Sequence, residues 1–232
     1  MANHGHLNLH IHPAAGTVGD LAMRRPHAVK VLQRHGIDFC CGGGKPLDDA
    51  CAAAGVLVEV LLNEVTAVEN RGQGGQRWDT APLASLIDHI QATHHDGLAQ
   101  ELDRIVAMAE RVLTVHGHKD FDRLSGLYEV TLQLRADLLP HLAAEEENLF
   151  PAVRAGSLTK AEQAIAGMVA EHEAVGALLA RASELTNHYT LPEGACATWR
   201  ALWHGLQELD ADLRQHIHLE NNVLFARLRT AA

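Results

Sequence analysis

The sequence predicts an all-α protein: a small helical N-terminal domain followed by an up-down-up-down four-helix bundle. Apolar residues make up 47% of the 232 residues and aromatic residues only 4%. With Ala and Leu dominant, this balance favours packed helices over sheets. Long segments after residue 82 repeat apolar side chains at helical spacing. Short polar breaks separate these segments, so sequential helices should run antiparallel.

Charge, hydropathy and cysteine usage exclude several classes of function. The net charge is −10 and no basic stripe is present, which argues against binding nucleic acid. No run of about twenty apolar residues predicts a membrane span, and the start MANHGHLNLHIHPAAG lacks signal-peptide features. The cysteines do not form an evenly spaced disulfide framework, which favours reduced thiols. We expect a cytoplasmic protein without a membrane partner.

The N-terminal part divides into a leader, a small domain and a linker. Residues 1–16 carry four histidines without helical periodicity, which predicts a flexible leader. Residues 17–68 are predicted as a cysteine domain: a helix, a glycine turn bearing Cys40 and Cys41, and a second helix beginning near Pro46. Residues 69–82 collect Gly, Gln and Pro, as linkers do.

The bundle is predicted over residues 83–232. Its four helical segments are expected at about 83–115, 121–153, 160–188 and 193–229, joined by VHGHKD, RAGSLT and NHYTLP. In the second and fourth segments, leucines at helical spacing continue into a His and a Glu on the same face. These polar side chains should therefore point into the bundle.

Two copies of one motif indicate a metal site. HLAAEEENLF contains His141 and Glu145, and HIHLENNVLF repeats the frame with His216 and Glu220. Residues four apart share a helix face, so each pair can offer an imidazole nitrogen and a carboxylate to one centre. An Asp precedes each His by one turn. These two, Asp137 and Asp212, are interpreted either as acceptors that orient the imidazoles or as solvated surface acids.

Each of these side chains alone could be a buried polar residue satisfied by a neighbour. Together, two inward carboxylates and several imidazoles would be costly to bury without a cation. His172 lies on the apolar stripe of the third segment and is a further candidate ligand. The first segment offers His89, His94 and His95; periodicity places His94 nearer the stripe centre, but spacing leaves the choice open. This donor set suits iron or manganese better than zinc.

The motifs together resemble a known family. They are GIDFCCGGG preceded by LAMRRPHAVKVLQRH, then HHD, EHE, HLAAEEENLFP and HIHLENNVLF in that order. From Thr17 onward the chain is similar to the iron-sulfur cluster repair di-iron proteins, the repair-of-iron-centres or RIC (YtfE/ScdA) family. Its bundle resembles hemerythrin, and the absence of Glu-x-x-His argues against a ferritin-like di-iron protein.

The resemblance implies a cofactor of two non-haem iron ions bridged by two glutamates, and it favours His95 over His94. It implies repair of iron-sulfur clusters damaged by nitric oxide or peroxide, with iron donation as the expected route. Damaged iron-sulfur proteins and nitric oxide or oxygen species would then be the partners. Departures are a third glycine after the cysteine pair, Cys51 in the next helix, and Ala226 where the first repeat has Pro151. The implied metal ligands are His95, His141, Glu145, His172, His216 and Glu220.

Several alternatives stay open at this point. A hemerythrin-like sensor or store of nitric oxide or oxygen would bind its ligand reversibly without losing iron. An enzyme would reduce nitric oxide to nitrous oxide at the iron pair, and an interaction protein would hold no metal at all. Cys40 and Cys41 are interpreted either as thiolates activated by helix N-terminal amides or as a buried structural pair. A homodimer is also left open.

Overall fold

The computed structural model describes residues 16–70 and 76–231, and these residues form helices without a β-strand. Within those ranges the one extended pairing is an isolated antiparallel bridge between Thr17 and Pro46. The predicted all-α class is therefore confirmed. The leader histidines and the middle of the predicted linker lie outside the described residues.

Within the described residues 16–70, the N-terminal part contains four short helices. The first begins at a capping box, in which the Thr17 hydroxyl accepts from the Asp20 N–H and the Asp20 carboxylate accepts from the Thr17 N–H. A single helix was predicted before the glycine turn, and this was wrong: the chain breaks at Pro26, which has no N–H for a helical bond. The four helices are α1 (Val18–Arg24), α2 (Ala28–Arg34), α3 (Leu47–Ala53) and α4 (Val58–Glu69).

Four helical segments form the bundle. Helix α6 packs on α7 and α10, α7 also packs on α9, and α9 packs on α10, as an up-down-up-down bundle requires. In chain order the helices are α5 (Leu83–Ile90), α6 (Leu98–His116), α7 (Phe121–Ala144), α8 (Phe150–Arg154), α9 (Leu158–Leu185), α10 (Ala197–His218) and α11 (Phe225–Ala231).

The segment boundaries differ from the sequence prediction at three places. The first segment is not continuous, because Gly97 takes a left-handed φ of +87° and ends one helical run before α6. The third ends at Leu185 rather than near residue 188, where three successive residues from Asn187 to Tyr189 have positive φ. The fourth begins at Ala197, four residues later than expected.

Three of the four bundle segments contain a π-helical turn. A π turn holds one more residue per turn than an α-helix, so it re-aims the side chains that it carries, and such turns are frequent at functional sites. The 3.6-residue periodicity used on the sequence does not reveal them. These turns are π1 (Gln91–His95), π2 (Glu145–Leu149) and π3 (Leu219–Leu224).

The bundle interior has two apolar clusters separated by a polar layer. Along the third segment, Met168 belongs to one cluster and Val175 to the other, with the buried His172 between them. In the second segment, the His-Glu pair likewise lies between the clusters: Leu138 belongs to the cluster of Val175, and Leu149 belongs to the cluster of Met168. The packing therefore holds the buried polar side chains at one level of the bundle.

The glycine turn of the N-terminal part lies against π3. The Asn222 side-chain amide donates to the carbonyl oxygens of Phe39 and Cys40, each at 3.0 Å. A Cβ at Gly43 would collide with the Asn222 side chain, so the close approach requires glycine there. His218 also places its Nδ1 3.3 Å from the Phe39 oxygen. The cysteine-bearing turn is thus hydrogen-bonded directly to the bundle.

Among residues 16–70 and 76–231 no single helix has the length and apolar character needed to cross a membrane. By length and composition alone, one pair passes that test together, Leu47–Ala53 with Val58–Glu69, and its two helices are bent by 101°.

Candidate metal centre

Six polar side chains from all four bundle segments meet in the polar layer. Each segment with a π turn places one of them in that turn: His95 ends π1, Glu145 begins π2, and Glu220 lies in π3. Helices α7, α9 and α10 carry the other three. All six are buried, and the two glutamates have no exposed surface. They are His95, His141, Glu145, His172, His216 and Glu220.

The six side chains form two groups that share both carboxylates. In the first group, His95 and His216 face each other with their Nε2 atoms 3.1 Å apart. The His95 Nε2 lies 3.5 Å from Glu145 Oε2, and the His216 Nε2 lies 3.0 Å from Glu220 Oε1. One potential ligand atom from each of these four residues lies within 4.8 Å of the others.

The second group has the same form on the other side of the carboxylates. The His141 and His172 Nε2 atoms are 3.0 Å apart. The His141 Nε2 lies 3.4 Å from Glu145 Oε1, and the His172 Nε2 lies 3.2 Å from Glu220 Oε2. These four residues also satisfy the 4.8 Å limit. The arrangement is two adjacent sites, each with two imidazoles, joined by a shared pair of carboxylates.

The carboxylates have unsatisfied oxygens. Both oxygens of Glu145 and Oε2 of Glu220 are buried without a hydrogen bond. An unpaired buried carboxylate costs several kcal/mol, which a coordinated cation would offset. The donor set of four imidazoles and two carboxylates fits iron, because it contains no thiolate and offers bridging oxygens. The residues present therefore fit a binuclear metal group.

The pKa values of the two glutamates move in opposite directions. Burial, together with the neighbouring charge of Glu220, raises the pKa of Glu145 well above its usual value. Burial opposes ionisation of Glu220 as well, but His216 and His172 hold the pKa of Glu220 well below its usual value. Burial lowers the pKa of His141 and of His216, which favours the neutral imidazole that a metal requires.

Three of the four histidines are oriented by a hydrogen bond at Nδ1. In each, the Nδ1–H donates to an oxygen, which leaves the Nε2 lone pair directed at the shared carboxylates. The oxygens belong to residues that sequence reasoning did not single out, because they lie on other segments or at the exposed rim. The pairs are His95 with Glu146 at 2.8 Å, His141 with Glu171 at 2.6 Å, and His172 with Asn221 at 2.8 Å.

The two aspartates, interpreted either as orienting acceptors or as surface acids, form side-chain hydrogen bonds with residues other than the histidines that follow them. Asp137 accepts from the Gln133 amide at 2.7 Å, on the same helix. Asp212 Oδ1 lies 2.8 Å from Nδ1 of His94. The reason is geometric, since a residue one turn earlier on the same helix points to the same face rather than to the far side of the ring. His94 is buried but belongs to neither group of four.

The cysteine pair lies beside the centre. The Cys41 thiol contacts the backbone oxygen of His172 at 3.4 Å, and the Cys40 thiol donates to Asp38 at 3.1 Å. Both cysteines line a cavity of about 330 Å³ that also reaches Asn221, the hydrogen-bond partner of His172.

The expected cause of thiol activation was wrong. Neither Cys40 nor Cys41 opens a helix, because α3 begins only at Leu47. The neighbouring Cys40 thiol holds the pKa of Cys41 below its usual value, although burial works in the opposite direction. The neighbouring Cys41 thiol and burial raise the pKa of Cys40. Cys41 is therefore the more acidic thiol of the pair; of the buried pair that the alternative interpretation expected, Cys40 is buried and Cys41 is half-buried.

Comparison with known proteins agrees with this geometry. Residues 86–228 match the family described as the hemerythrin HHE cation binding domain, and residues 14–69 match ScdA_N, described as a domain of unknown function. The chain is 39% identical over 211 residues to the iron-sulfur cluster repair protein YtfE of Yersinia pseudotuberculosis serotype IB, covering 91% of this chain and 95% of that protein. The YtfE protein of Yersinia pestis (strain Pestoides F) matches with the same identity and coverage. The chain belongs to the family of the YtfE iron-sulfur cluster repair proteins, with a hemerythrin HHE domain as its larger part.

Proposed function

We propose that this protein is a non-haem di-iron protein that helps repair iron-sulfur clusters damaged by nitrosative or oxidative stress, by donating iron. One observation carries the proposal: two groups of four His and Glu side chains share a buried pair of carboxylates with unsatisfied oxygens. The hemerythrin-like domain implies iron binding, and the relatives are named for cluster repair.

In this proposal, His95 and His216 would hold one iron, His141 and His172 would hold the other, and both glutamates would contribute to both sites. Six protein ligands for two metals leave coordination positions free. When bound, the iron pair would supply redox change between the ferrous and ferric states and positions for nitric oxide or an oxygen species.

Residues around the centre fix the orientation of its imidazole rings. Glu146, Glu171 and Asn221 fix three imidazole orientations through Nδ1, which also raises the basicity of Nε2. Two of these acceptors, Glu146 and Glu171, are exposed, so water competes for their hydrogen bonds. A centre held partly by exposed acceptors fits a protein that must release its iron.

We propose the cytoplasm as the compartment. All four cysteines are free, and cytosolic thiols are kept reduced. Reduced thiols also fit the proposed role of the Cys40 and Cys41 pair in iron handover or electron transfer.

The repair function is tested with iron-57. The full-length protein is loaded anaerobically with the isotope and mixed with a protein whose iron-sulfur cluster has been damaged by nitric oxide. We expect the cluster to recover and the label to be found in it by Mössbauer spectroscopy. Recovery of the cluster without label would contradict iron donation. If the label stayed on this protein and the protein bound nitric oxide reversibly, a sensor or store would be favoured.

The cysteine role is tested with Cys41→Ser. Because Cys41 is not among the six side chains of the centre, we expect the variant to keep its iron and lose cluster repair in the same assay. Cys196→Ser is the matched control, since Cys196 is exposed and lies at the far end of the bundle, beside His116. Unchanged repair by Cys41→Ser would remove the thiol from the mechanism.

A further inference from the structure

His216 differs from the other three histidines of the centre. Its Nε2 faces Glu220 and His95, so its Nδ1 must carry the proton when Nε2 binds a metal. That Nδ1 is buried and has no hydrogen-bond partner, whereas the other three Nδ1 atoms each have one. A buried donor without a partner is rare enough in native proteins to require an explanation.

His94 has the complementary unsatisfied atom. Its Nδ1 lies 2.8 Å from Asp212 Oδ1, and a carboxylate accepts a hydrogen bond, so Nδ1 carries the proton and Nε2 is an acceptor. The Nε2 of His94 is buried without a partner, and the residue is only 4% exposed. His216 thus has a buried donor without a partner, and His94 has a buried acceptor without one.

The two rings are neighbours, and one water molecule between them would give each nitrogen a partner. They are parallel, with an interplanar angle of 1° and ring centroids 5.4 Å apart. Two hydrogen bonds of about 2.8 Å through a single water span about 5 Å. A buried water requires at least two polar partners, and these two nitrogens supply one acceptor and one donor.

We propose that His94 is a positioning residue for the metal centre. An ordered water accepts from the Nδ1–H of His216 and donates to Nε2 of His94, while Asp212 accepts from Nδ1 of His94. This series of hydrogen bonds orients His216 and raises the basicity of its Nε2, as Glu146, Glu171 and Asn221 do for the other three histidines. The inference rests on the proposed function, because it assumes that His216 is a ligand. It also explains why two adjacent histidines, His94 and His95, are both buried.

The test is the rate at which anaerobic, iron-loaded, full-length protein loses iron to a ferrous chelator. His94→Phe keeps the ring and removes both nitrogens, so we expect iron loss at least tenfold faster, within the range for lost outer-shell partners. His94→Gln can donate to Asp212 and accept from the water, so we expect a rate near that of the unaltered protein. Asp212→Asn should raise the rate less than His94→Phe, because its amide oxygen can still accept. His89→Phe is the matched control, since its ring contacts His94 from outside this chain of hydrogen bonds.

Two outcomes of the iron-loss measurement would overturn the inference. His94→Phe would lose iron at the unaltered rate, or His94→Gln would lose it as fast as His94→Phe, which would indicate ring packing alone. A crystal structure of the metal-free protein gives a readout that does not depend on iron. We expect density for one water within hydrogen-bonding distance of both nitrogens, and a dry contact would overturn the inference as well. If the unaltered protein binds no iron but the water is present, the proposed function fails while the hydrogen-bond chain stands.

Discussion

At the scale of single residues, the centre is defined by what surrounds two buried carboxylates. Glu145 and Glu220 could be predicted from the sequence because each follows a histidine by four residues in a repeated motif. The structure brings both His-Glu pairs into one polar layer. The acceptors that orient the imidazoles could not be predicted in the same way. Glu171 and Asn221 reach their histidines from a neighbouring segment, and helical periodicity gives no information about such contacts.

Asn221 and Asn222 are neighbours in π3 but have different hydrogen-bond partners, so their alanine variants form a matched pair. Asn221 accepts from His172, and Asn222 donates to the carbonyl oxygens of the cysteine turn. We expect Asn222→Ala to lower the free energy of unfolding by about 1 to 3 kcal/mol, because two carbonyls lose a partner. We expect the same variant to keep its iron.

Asn221→Ala should show the reverse pattern, with weaker iron retention and an unchanged cysteine turn. Denaturant unfolding and iron analysis of both variants, with proteolysis of the turn as a third readout, check the pair. If both variants lost iron to the same extent, the two asparagines would not act separately.

At the scale of elements, the π turns are what the sequence analysis missed. A one-residue insertion leaves the apolar pattern readable on both sides, so the segments were predicted while their re-aimed turns were not. The same limit applies to the break at Gly97, where a residue tolerated inside a helix instead adopts a left-handed conformation. Pro26 and Pro46 gave clearer signals, although only the second was interpreted correctly.

Deleting one exposed residue of π2 tests whether the turn serves the centre. We expect removal of Glu147 to convert the turn to α-helix, because a π turn contains one extra residue. Helical content by circular dichroism should persist. The deletion should rotate Phe150 about the helix axis relative to His141, and this change should abolish iron binding. Glu147→Ala is the control and should keep its iron. Retention of iron by the deletion variant would show that the π geometry is dispensable.

The ends of helices α1 and α4 are joined by an ion pair with a predictable pH response. Arg25 donates to both carboxylate oxygens of Glu69, at 2.8 and 2.5 Å, and holds the pKa of Glu69 below its usual value. A carboxylate with a lowered folded pKa stabilises the protein above its unfolded pKa of about 4.3 and loses that contribution as pH falls through the folded pKa. Both side chains are about one-third exposed, so the contribution is small.

An NMR titration of the Glu69 carboxyl measures this directly. We expect its midpoint below that of an unpaired glutamate, and we expect Arg25→Gln to move it upward. An identical midpoint in the two proteins would mean that the ion pair does not persist in solution.

At the scale of the whole molecule, the cysteine-bearing turn and the metal centre share π3. The sequence predicted two unequal parts joined by a linker, and that division remains a prediction. Composition could not show that the turn is hydrogen-bonded to the bundle, because the turn carbonyls that Asn222 contacts lie 183 and 182 residues earlier in the sequence. The consequence is functional: the Cys41 thiol lies against the backbone of His172, which connects the proposed iron pair to the proposed route of handover.

The bridged di-iron centre is tested by the number of irons per chain in anaerobically purified full-length protein, measured beside a Glu145→Ala, Glu220→Ala double variant. We predict two irons in the unaltered protein and their loss in the variant, because both glutamates belong to both groups of ligands. The metal-free variant should still fold as a helical protein by circular dichroism. Little iron in either protein, or iron retained by the double variant, would contradict the bridged di-iron centre.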